Sequence, residues 1–305
     1  GSDWWFQMVF CATTVSIVSG TLAERIKIWP FFLFAAILTG VIYPIEMGWQ
    51  WGGGWLSAAG FSDFAGSTLV HAAGGAAALA GAIVLGPRLG RFSNGKLVPF
   101  ASSSIPLATL GTFILWFGWF GFNGGSQLAL AGFENATAVA TIYINTNLAA
   151  CAGVMTCAVI TRLINGKTDV IMMLNGALGG LVAITAEPLT PTPLMAIIIG
   201  SIGGIIVILG TQALNKFQID DVVGAIPVHL FAGIWGTLAV PLTNSGTSFG
   251  PQLLGTASIC AFVFVVSFIV WSIMKATIGI RISEEAEKEG TDIAETGVKA
   301  YAIRD

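Results

Sequence analysis

The chain contains only two histidines, His71 and His229, and each lies inside a long apolar stretch. An ionisable side chain at membrane depth costs about 2.5–3.5 kcal/mol to insert, so such residues are candidates for function. A neutral imidazole donates a hydrogen bond from one ring nitrogen and accepts one at the other. The two residues therefore predict proton relay, or binding of a small polar solute, along an apolar path.

The segments around the two histidines are similar, since "TLVHAAGG" (68–75) and "IPVHLFAG" (226–233) share a Val-His pair followed by glycine. If the apolar segments alternate across a membrane, these two segments run in opposite directions. This favours an inverted repeat in which each half contributes one histidine to a site near the midplane. Two alternatives remain open: each histidine satisfies a hydrogen bond in the core, or the pair ligates a haem. No second haem signal accompanies the histidines, so we expect no cofactor.

The composition predicts an all-α integral membrane protein, with the lipid bilayer as its surroundings. The 305 residues are 55% apolar and 10% charged, whereas soluble domains contain about 25% charged residues. Several uncharged runs approach or exceed the roughly 18 residues that cross a bilayer. Nine spans are predicted at about residues 4–22, 29–47, 66–86, 99–121, 135–161, 169–186, 193–213, 222–241 and 251–277.

The distribution of charge orients these spans. With alternating spans, all 13 Lys and Arg residues, including Arg304, fall on one side. The opposite side has no basic residue, and its loops carry Asp3, Glu46, Asp63, Glu134 and Glu187. The positive-inside rule then predicts a multi-pass protein of the cell membrane with a cytoplasmic C-terminus.

The chain divides into a membrane domain (1–280) and a charged cytoplasmic tail (281–305). The tail is either simply solvated or a segment that docks a regulatory partner.

All four cysteines lie in apolar runs without metal-type spacing, so we expect small core residues and no metal site. Two histidines without a nucleophile–base set do not support covalent catalysis, so we do not expect an enzyme.

Asp63 precedes His71 by eight residues, which is about 12 Å along a helix, so we expect no hydrogen bond between the two side chains. A Ser-Asp pair before a helical run favours an N-cap, with indirect support of a cation site as the alternative.

Aromatic residues are frequent on the acidic side, among them Trp51, Trp119 and Phe122. They are either a bilayer belt or a means of recruiting a cation through its attraction to π faces.

Seven motifs occur along the chain in the order typical of one family: "FQMVF", "GTLAERIK", "WQWGGGWL", "DFAGSTLVH", "WFGFNGGS", "DDVVGAIPVH" and "GIRISEEAEKEGTD". The sequence resembles the ammonium transporter family (Amt/MEP/Rh), and it resembles the Amt branch in the Trp of "WGGGWL" and the Ser of "FNGGS". The resemblance implies the ammonium-transporter fold, with two inverted five-helix repeats, a last long helix and assembly as a homotrimer. The first motif of this chain, "FQMVF", corresponds to the family's third helix. We therefore expect nine of eleven transmembrane helices here, with the first two missing.

The resemblance also implies roles for aromatic residues on the outer side. Phe10, Trp51 and Ser126 would form the ammonium-binding site, with π faces and a hydroxyl oxygen contacting the cation. Below this site, stacked rings of Phe10 and Phe122 would form a gate. Phe6 and Gln7 match positions beside the gate.

His71 and His229 would be the twin histidines of the pore, hydrogen-bonded to each other in hydrophobic surroundings. Asp63 matches an aspartate that is structural in the family and supports cation recruitment without touching the ion. The tail matches the family's regulatory segment, except that Thr296 stands where the family usually has histidine.

These expectations define a transport mechanism. A desolvated cation in an apolar pore faces a cost of tens of kcal/mol in the Born limit, which neutral ammonia largely avoids. We expect the protein to bind NH₄⁺ outside, deprotonate it and conduct NH₃ past the histidines, with or without proton co-transfer. The alternative is an ammonium sensor with little flux. Implied partners are ammonium, its analogue methylammonium and a PII-type regulatory protein on the cytoplasmic face, and no nucleic acid.

Overall fold

The computed structural model describes residues 1–301, and these residues form a bundle of apolar helices. The membrane-domain helices are α1 (Ser2–Leu22), α2 (Ile28–Ala58), α3 (Ser67–Leu85), α4 (Ile105–Gly125), α5 (Phe133–Asn165), α6 (Val170–Ile184), α7 (Pro193–Lys216), α8 (Ile226–Leu242) and α9 (Phe249–Thr277). Seven of them are long and apolar enough to cross a membrane, while α6 and α8 are shorter. A hairpin of β1 (Phe92–Ser93) and β2 (Lys96–Leu97) follows α3. The tail contains α10 (Glu284–Glu289) and α11 (Thr291–Thr296), and its predicted last residues, with Arg304, lie outside the described part.

Helix boundaries differ from the prediction where local capping sets them. α4 begins at Ile105 rather than near residue 99, because the Ser104 side chain accepts a hydrogen bond from the Leu107 N–H at 3.3 Å. α5 extends to Asn165 and ends at Gly166, whose φ of 70° favours glycine.

Glu46 is the main correction to the predicted loops. The charge pattern counts it among the acidic residues of the outer loops, although it falls at the end of the predicted span 29–47. It lies within α2, which continues past it, and its side chain is fully buried. α2 contains a π-helical turn at Leu38–Ile42 and is interrupted at 51–54 before its final turn, Trp55–Ala58. Apolar content alone did not predict this extension, because the added turns are rich in Gly and Trp.

α3 is the central helix, and residues 65–78 on it and before it are all buried. Elsewhere in the bundle, α5, α6 and α7 pack closely on one another through glycine, as membrane helices commonly do. A Cβ atom on Gly153 would lie 2.0 Å from the carbonyl oxygen of Gly176, and one on Gly200 would lie 2.2 Å from that of Ala149. The backbones therefore approach to a distance that larger residues do not allow.

This packing predicts the effect of one added methyl group. Gly200→Ala is expected to destabilise the protein by about 1–3 kcal/mol, because the α5 backbone at Ala149 must move. Gly111→Ala in α4 is the matched control, since its Cβ would meet nothing within 4 Å. The control is expected to be neutral or more stable by up to about 1 kcal/mol. Thermal unfolding of both variants in one detergent checks this, and equal midpoints would contradict the packing.

The segments after α1, α3 and α7 meet at one end of the bundle, which we call the basic end. Arg88 donates from Nε to Asp220 Oδ2 at 2.8 Å and also pairs with Glu24, while Arg25 Nη2 donates to the Asp220 carbonyl at 2.8 Å. Burial raises the pKa of the Asp220 carboxyl, but the hydrogen bonds from Arg88 outweigh burial and hold this pKa below its ordinary value. The ion pairs therefore join three segments that are distant in sequence.

The tail is attached to the same end. Glu287 Oε1 accepts the Leu89 N–H at 2.7 Å, Glu295 Oε2 accepts the Ile28 N–H at 2.9 Å, and Arg281 pairs with Glu287. The tail thus contacts the segments that follow α1 and α3.

Segments at the other end of the bundle are held by neutral and acidic groups. Gln252 bonds the Ser62 backbone twice, at 2.8 and 2.7 Å, and Glu187 Oε2 accepts from Asn244 at 2.7 Å. We call this the acidic end. The grouping of loops at two ends agrees with spans that alternate in direction.

Candidate functional site

Both histidines lie in π-helical turns. His71 belongs to the turn Ser67–Ala72 at the start of α3, and His229 to the turn Ile226–Phe231 at the start of α8. A π-helical turn inserts one residue into a helix and is often found at functional sites. The same unusual turn therefore positions both imidazoles.

The π-helical turn of α3 is preceded by a buried carboxylate, Asp63. Its two oxygens accept four backbone N–H groups at 2.8–2.9 Å, those of Gly66, Ser67, Thr68 and Leu69. The Asp63 carbonyl also accepts the Trp51 indole N–H at 2.9 Å. Asp63 therefore both caps the helix and holds the tryptophan.

Asp221 is the equivalent residue before α8, and it is not among the site residues predicted from the sequence. Its carboxylate accepts the N–H groups of Gly224 and Ile226 at 3.1 and 2.7 Å, and the Thr21 hydroxyl at 3.1 Å. The signal was present in the sequence, because "DFAGSTLVH" and "DVVGAIPVH" share Asp, Gly, Val and His at identical spacing.

The imidazoles of His71 and His229 face each other. Their Nδ1 atoms are 3.2 Å apart, and the ring centroids are 5.2 Å apart with an interplanar angle of 23°. In a neutral pair, one Nδ1 donates and the other accepts. Direct contact between these nitrogens does not fit axial ligation of a haem, because an iron would have to separate them.

A column of aromatic rings leads to the histidine pair. The centroids of Phe10 and Phe122 are 4.3 Å apart, and those of Phe122 and His71 are 5.3 Å apart. Phe10 also contacts Trp51 edge to face at 5.6 Å. The planes of Phe10 and Phe122 are inclined by 56°, so the rings are adjacent but not stacked as expected.

Trp119 flanks the column, whereas the sequence predicted only a place in a bilayer belt or in cation recruitment for it. Its ring stacks on His71 at 4.9 Å and 18°, and its indole N–H donates to the Thr185 hydroxyl at 2.9 Å. The stacking restricts rotation of the imidazole. Only the general abundance of tryptophan in "LWFGWFGFNGGS" could have pointed to this residue.

Two cavities adjoin the histidines, and His71 lines both. One, of about 430 Å³, has mainly apolar walls that include Phe6, Phe10 and Phe122. The other, of about 280 Å³, contains His229 together with hydroxyl and amide groups of Thr13, Ser16, Ser19 and Asn175. Within residues 1–301, no group of three or more His, Cys, Asp or Glu side chains is arranged to hold a metal ion.

Ser126 and Gln7 complete the residues predicted from the sequence. The Ser126 hydroxyl donates to the Phe122 carbonyl at 2.9 Å, which leaves the oxygen lone pairs available to accept. Phe6 packs edge to face on Phe10 at 4.7 Å, next to Gln7. Phe6 therefore contacts the column at Phe10, and Ser126 is joined to it through the backbone of Phe122.

The helices and the two cavities define a multi-pass membrane protein with a histidine pair on an apolar path. The model of the Ammonium Transporter Family matches residues 1–301. A putative ammonium transporter from Synechocystis sp. is 43% identical over 299 residues, covering 97% of this chain and 68% of the relative. Ammonium transporter Amt2 from Archaeoglobus fulgidus is 44% identical over 329 residues, covering 98% and 69%. The chain belongs to the ammonium transporter family.

Solved structures show the same fold. A sensor Amt protein superposes with a TM-score of 0.92 at 36% identity, covering 97% of this chain and 76% of that chain. Mep2 from Candida albicans superposes with a TM-score of 0.81 at 30% identity, covering 90% and 65%. The family is one of transporters, and one of these solved structures is of a sensor Amt protein.

Proposed function

We propose that this protein transports ammonium by binding NH₄⁺ at an outer aromatic site, deprotonating it and conducting NH₃ past His71 and His229. The observation that carries the proposal is the contact of the two imidazoles at 3.2 Å, with an aromatic column on one side and a partly polar cavity on the other. This arrangement suits a small solute that needs hydrogen bonds but carries no charge.

The outer site consists of Phe10, Trp51 and Ser126. Two π faces attract a cation, which is worth about 2 kcal/mol or more once the contact is desolvated. The Ser126 oxygen accepts an N–H of ammonium, because its own proton is donated to the Phe122 carbonyl. Asp63 supports recruitment indirectly, since it holds Trp51 through its carbonyl group.

The gate consists of Phe10 and Phe122, whose contact at 4.3 Å leaves no open path between the rings. A solute passes only when these rings move. A hydrated ion would have to lose its shell there, while ammonia would lose far less. Deprotonation therefore precedes passage, and potassium is excluded because it has no proton to lose.

Below the gate, the histidines bind ammonia and can relay a proton. Each neutral ring offers one donor and one acceptor, and the mutual Nδ1 contact uses one nitrogen of each ring. The Nε2 atom of His71 has no protein partner within residues 1–301, so it remains for the solute. A proton passed along the pair would make transport electrogenic.

We also propose the finer architecture of the family for this protein. The repeated Asp-x-x-Gly-x-x-x-Val-His segment and the paired π-helical turns support inverted five-helix repeats within an eleven-helix fold. The membrane domain is 1–280 and the tail is 281–305. The concentration of Lys and Arg supports a cytoplasmic location for the basic end in the cell membrane. A homotrimer and a PII-type partner at the basic end follow from family membership.

A sensor function is the second candidate, because the sensor Amt protein superposes on 97% of this chain. Uptake of methylammonium by a transport-deficient cell separates the two functions. We expect uptake above the empty-vector background, and ammonium should compete with it. Binding of ammonium to the purified protein without any uptake would favour the sensor.

A further inference from the structure

Glu46 is a buried acid that the mechanism above does not use. Its side chain has no exposed surface, and neither carboxyl oxygen has a hydrogen-bond partner within residues 1–301. The hydroxyl of Tyr43, nearly one turn earlier on the same helix, is also buried without a partner in this range. Buried polar groups almost always have partners, so two orphaned groups on one face of α2 point to a function.

The titratable groups that face Glu46 come from every helix packed around it. They are Cys11 on α1, Tyr43 on α2, Asp63 before α3 and Cys260 on α9. This set contains no basic residue. Asp63 has four N–H donors to stabilise a negative charge, whereas Glu46 has none. Of the two carboxyl groups, Glu46 is therefore the one that holds a proton at rest.

Glu46 lies close to the outer aromatic site. Tyr43 and Met47, on either side of it in the sequence, pack in one apolar cluster with Phe10 and Trp51. Trp51 follows Glu46 by five residues, about 7.5 Å along a helix, and bonds to the carbonyl group of Asp63. Glu46 and Asp63 therefore both lie beside residues of the proposed outer cation site.

We propose that Glu46 is a proton-binding site coupled to the outer cation site. The Glu46 O–H bond breaks when ammonium binds, its electron pair stays on the carboxylate, and the proton leaves to the outer solution. The arriving cation replaces the proton, so the charge of the site does not change. This inference rests on the proposed transport of ammonium and deepens it.

Proton release on binding makes apparent affinity depend on pH. In proteoliposomes, the ammonium concentration that gives half-maximal flux is expected to fall as the outer pH rises, over the range in which Glu46 is protonated in the unliganded protein. The limit is about tenfold per pH unit for one proton released per cation. Glu46→Gln keeps the shape of the protonated acid but has no proton to release, so its half-maximal concentration should lose this slope. Glu134→Gln, at an exposed acid in the first turn of α5, is the control and should keep it.

The outcomes separate this inference from the proposed function. Equal slopes in wild type and Glu46→Gln would overturn the role of Glu46, whereas absence of any ammonium-dependent current or flux in wild type would overturn transport. If Glu46→Gln does not fold, infrared difference spectra of the wild-type protein provide the test. Ammonium should reduce the carbonyl band of a protonated carboxyl group, and Glu46→Asp should shift that band. An unchanged band would also overturn the proposal.

Discussion

Replacing His71 and His229 together by alanine is expected to reduce ammonium flux by at least about thirtyfold. Each imidazole contributes a hydrogen bond to a solute in an apolar cavity, and loss of such a bond costs about 1–3 kcal/mol. Two losses add at least about 2 kcal/mol to the barrier, and about 1.4 kcal/mol corresponds to tenfold in rate. The double variant also lacks both imidazoles, which are the groups that could relay a proton along the pore.

Flux into proteoliposomes measures this effect, with Ser16→Ala as the matched control. Ser16 lines the same cavity as both histidines, but its hydroxyl donates to the Thr13 carbonyl and not to the imidazoles. The control should therefore retain most of the flux. Unchanged flux and unchanged selectivity in the double variant would show that the histidines are only part of the packed core.

The second large effect is expected at Asp63, where alanine should destabilise the protein by about 4 kcal/mol or more. The substitution leaves four buried N–H groups at the start of α3 without their acceptor, and each buried unsatisfied group costs about 1–3 kcal/mol. Loss of the cap also frees the π-helical turn that carries His71. Thermal unfolding and the yield of monodisperse protein in detergent report the effect.

Asp169→Ala is the matched control for this substitution. Asp169 is an exposed cap on α6 that accepts one N–H, from Met172 at 3.0 Å, so its loss should cost only about 1 kcal/mol. Asp63→Asn keeps one acceptor oxygen and should be intermediate. Equal unfolding midpoints for Asp63→Ala and Asp169→Ala would contradict the capping role.

Composition and charge were sufficient to predict a membrane-spanning helical bundle. Apolar length marks helices directly, and the grouping of Lys and Arg checks their alternation. The histidine pair was also predictable, because two ionisable residues in similar segments of an apolar chain are costly and unusual. The same comparison, extended five residues towards the N-terminus, would have identified Asp221.

Other features depend on packing that the sequence does not encode locally. A π-helical turn differs from an α-helical turn by one residue, and the apolar pattern around His71 is compatible with both. Glu46 is buried because α1, α3 and α9 cover its face of α2. Its own sequence neighbourhood, the end of an apolar stretch, does not show this cover, so a loop position was predicted for it. The inclination of Phe10 to Phe122 depends on their neighbours, including Trp51 and His71.

The most direct test of the central claim is the luminal pH of proteoliposomes after an ammonium pulse. A proton passed along the histidines would appear as an inward current. Ammonia that enters without its proton takes one up inside, so the lumen should then become alkaline faster in vesicles with wild-type protein than in protein-free vesicles. This protein-dependent response should disappear in the His71→Ala, His229→Ala double variant. A potassium pulse should produce no protein-dependent flux. A rate no faster than in protein-free vesicles without any ammonium-evoked current, or a rate that the double variant shares, would contradict conduction of ammonia past the two histidines.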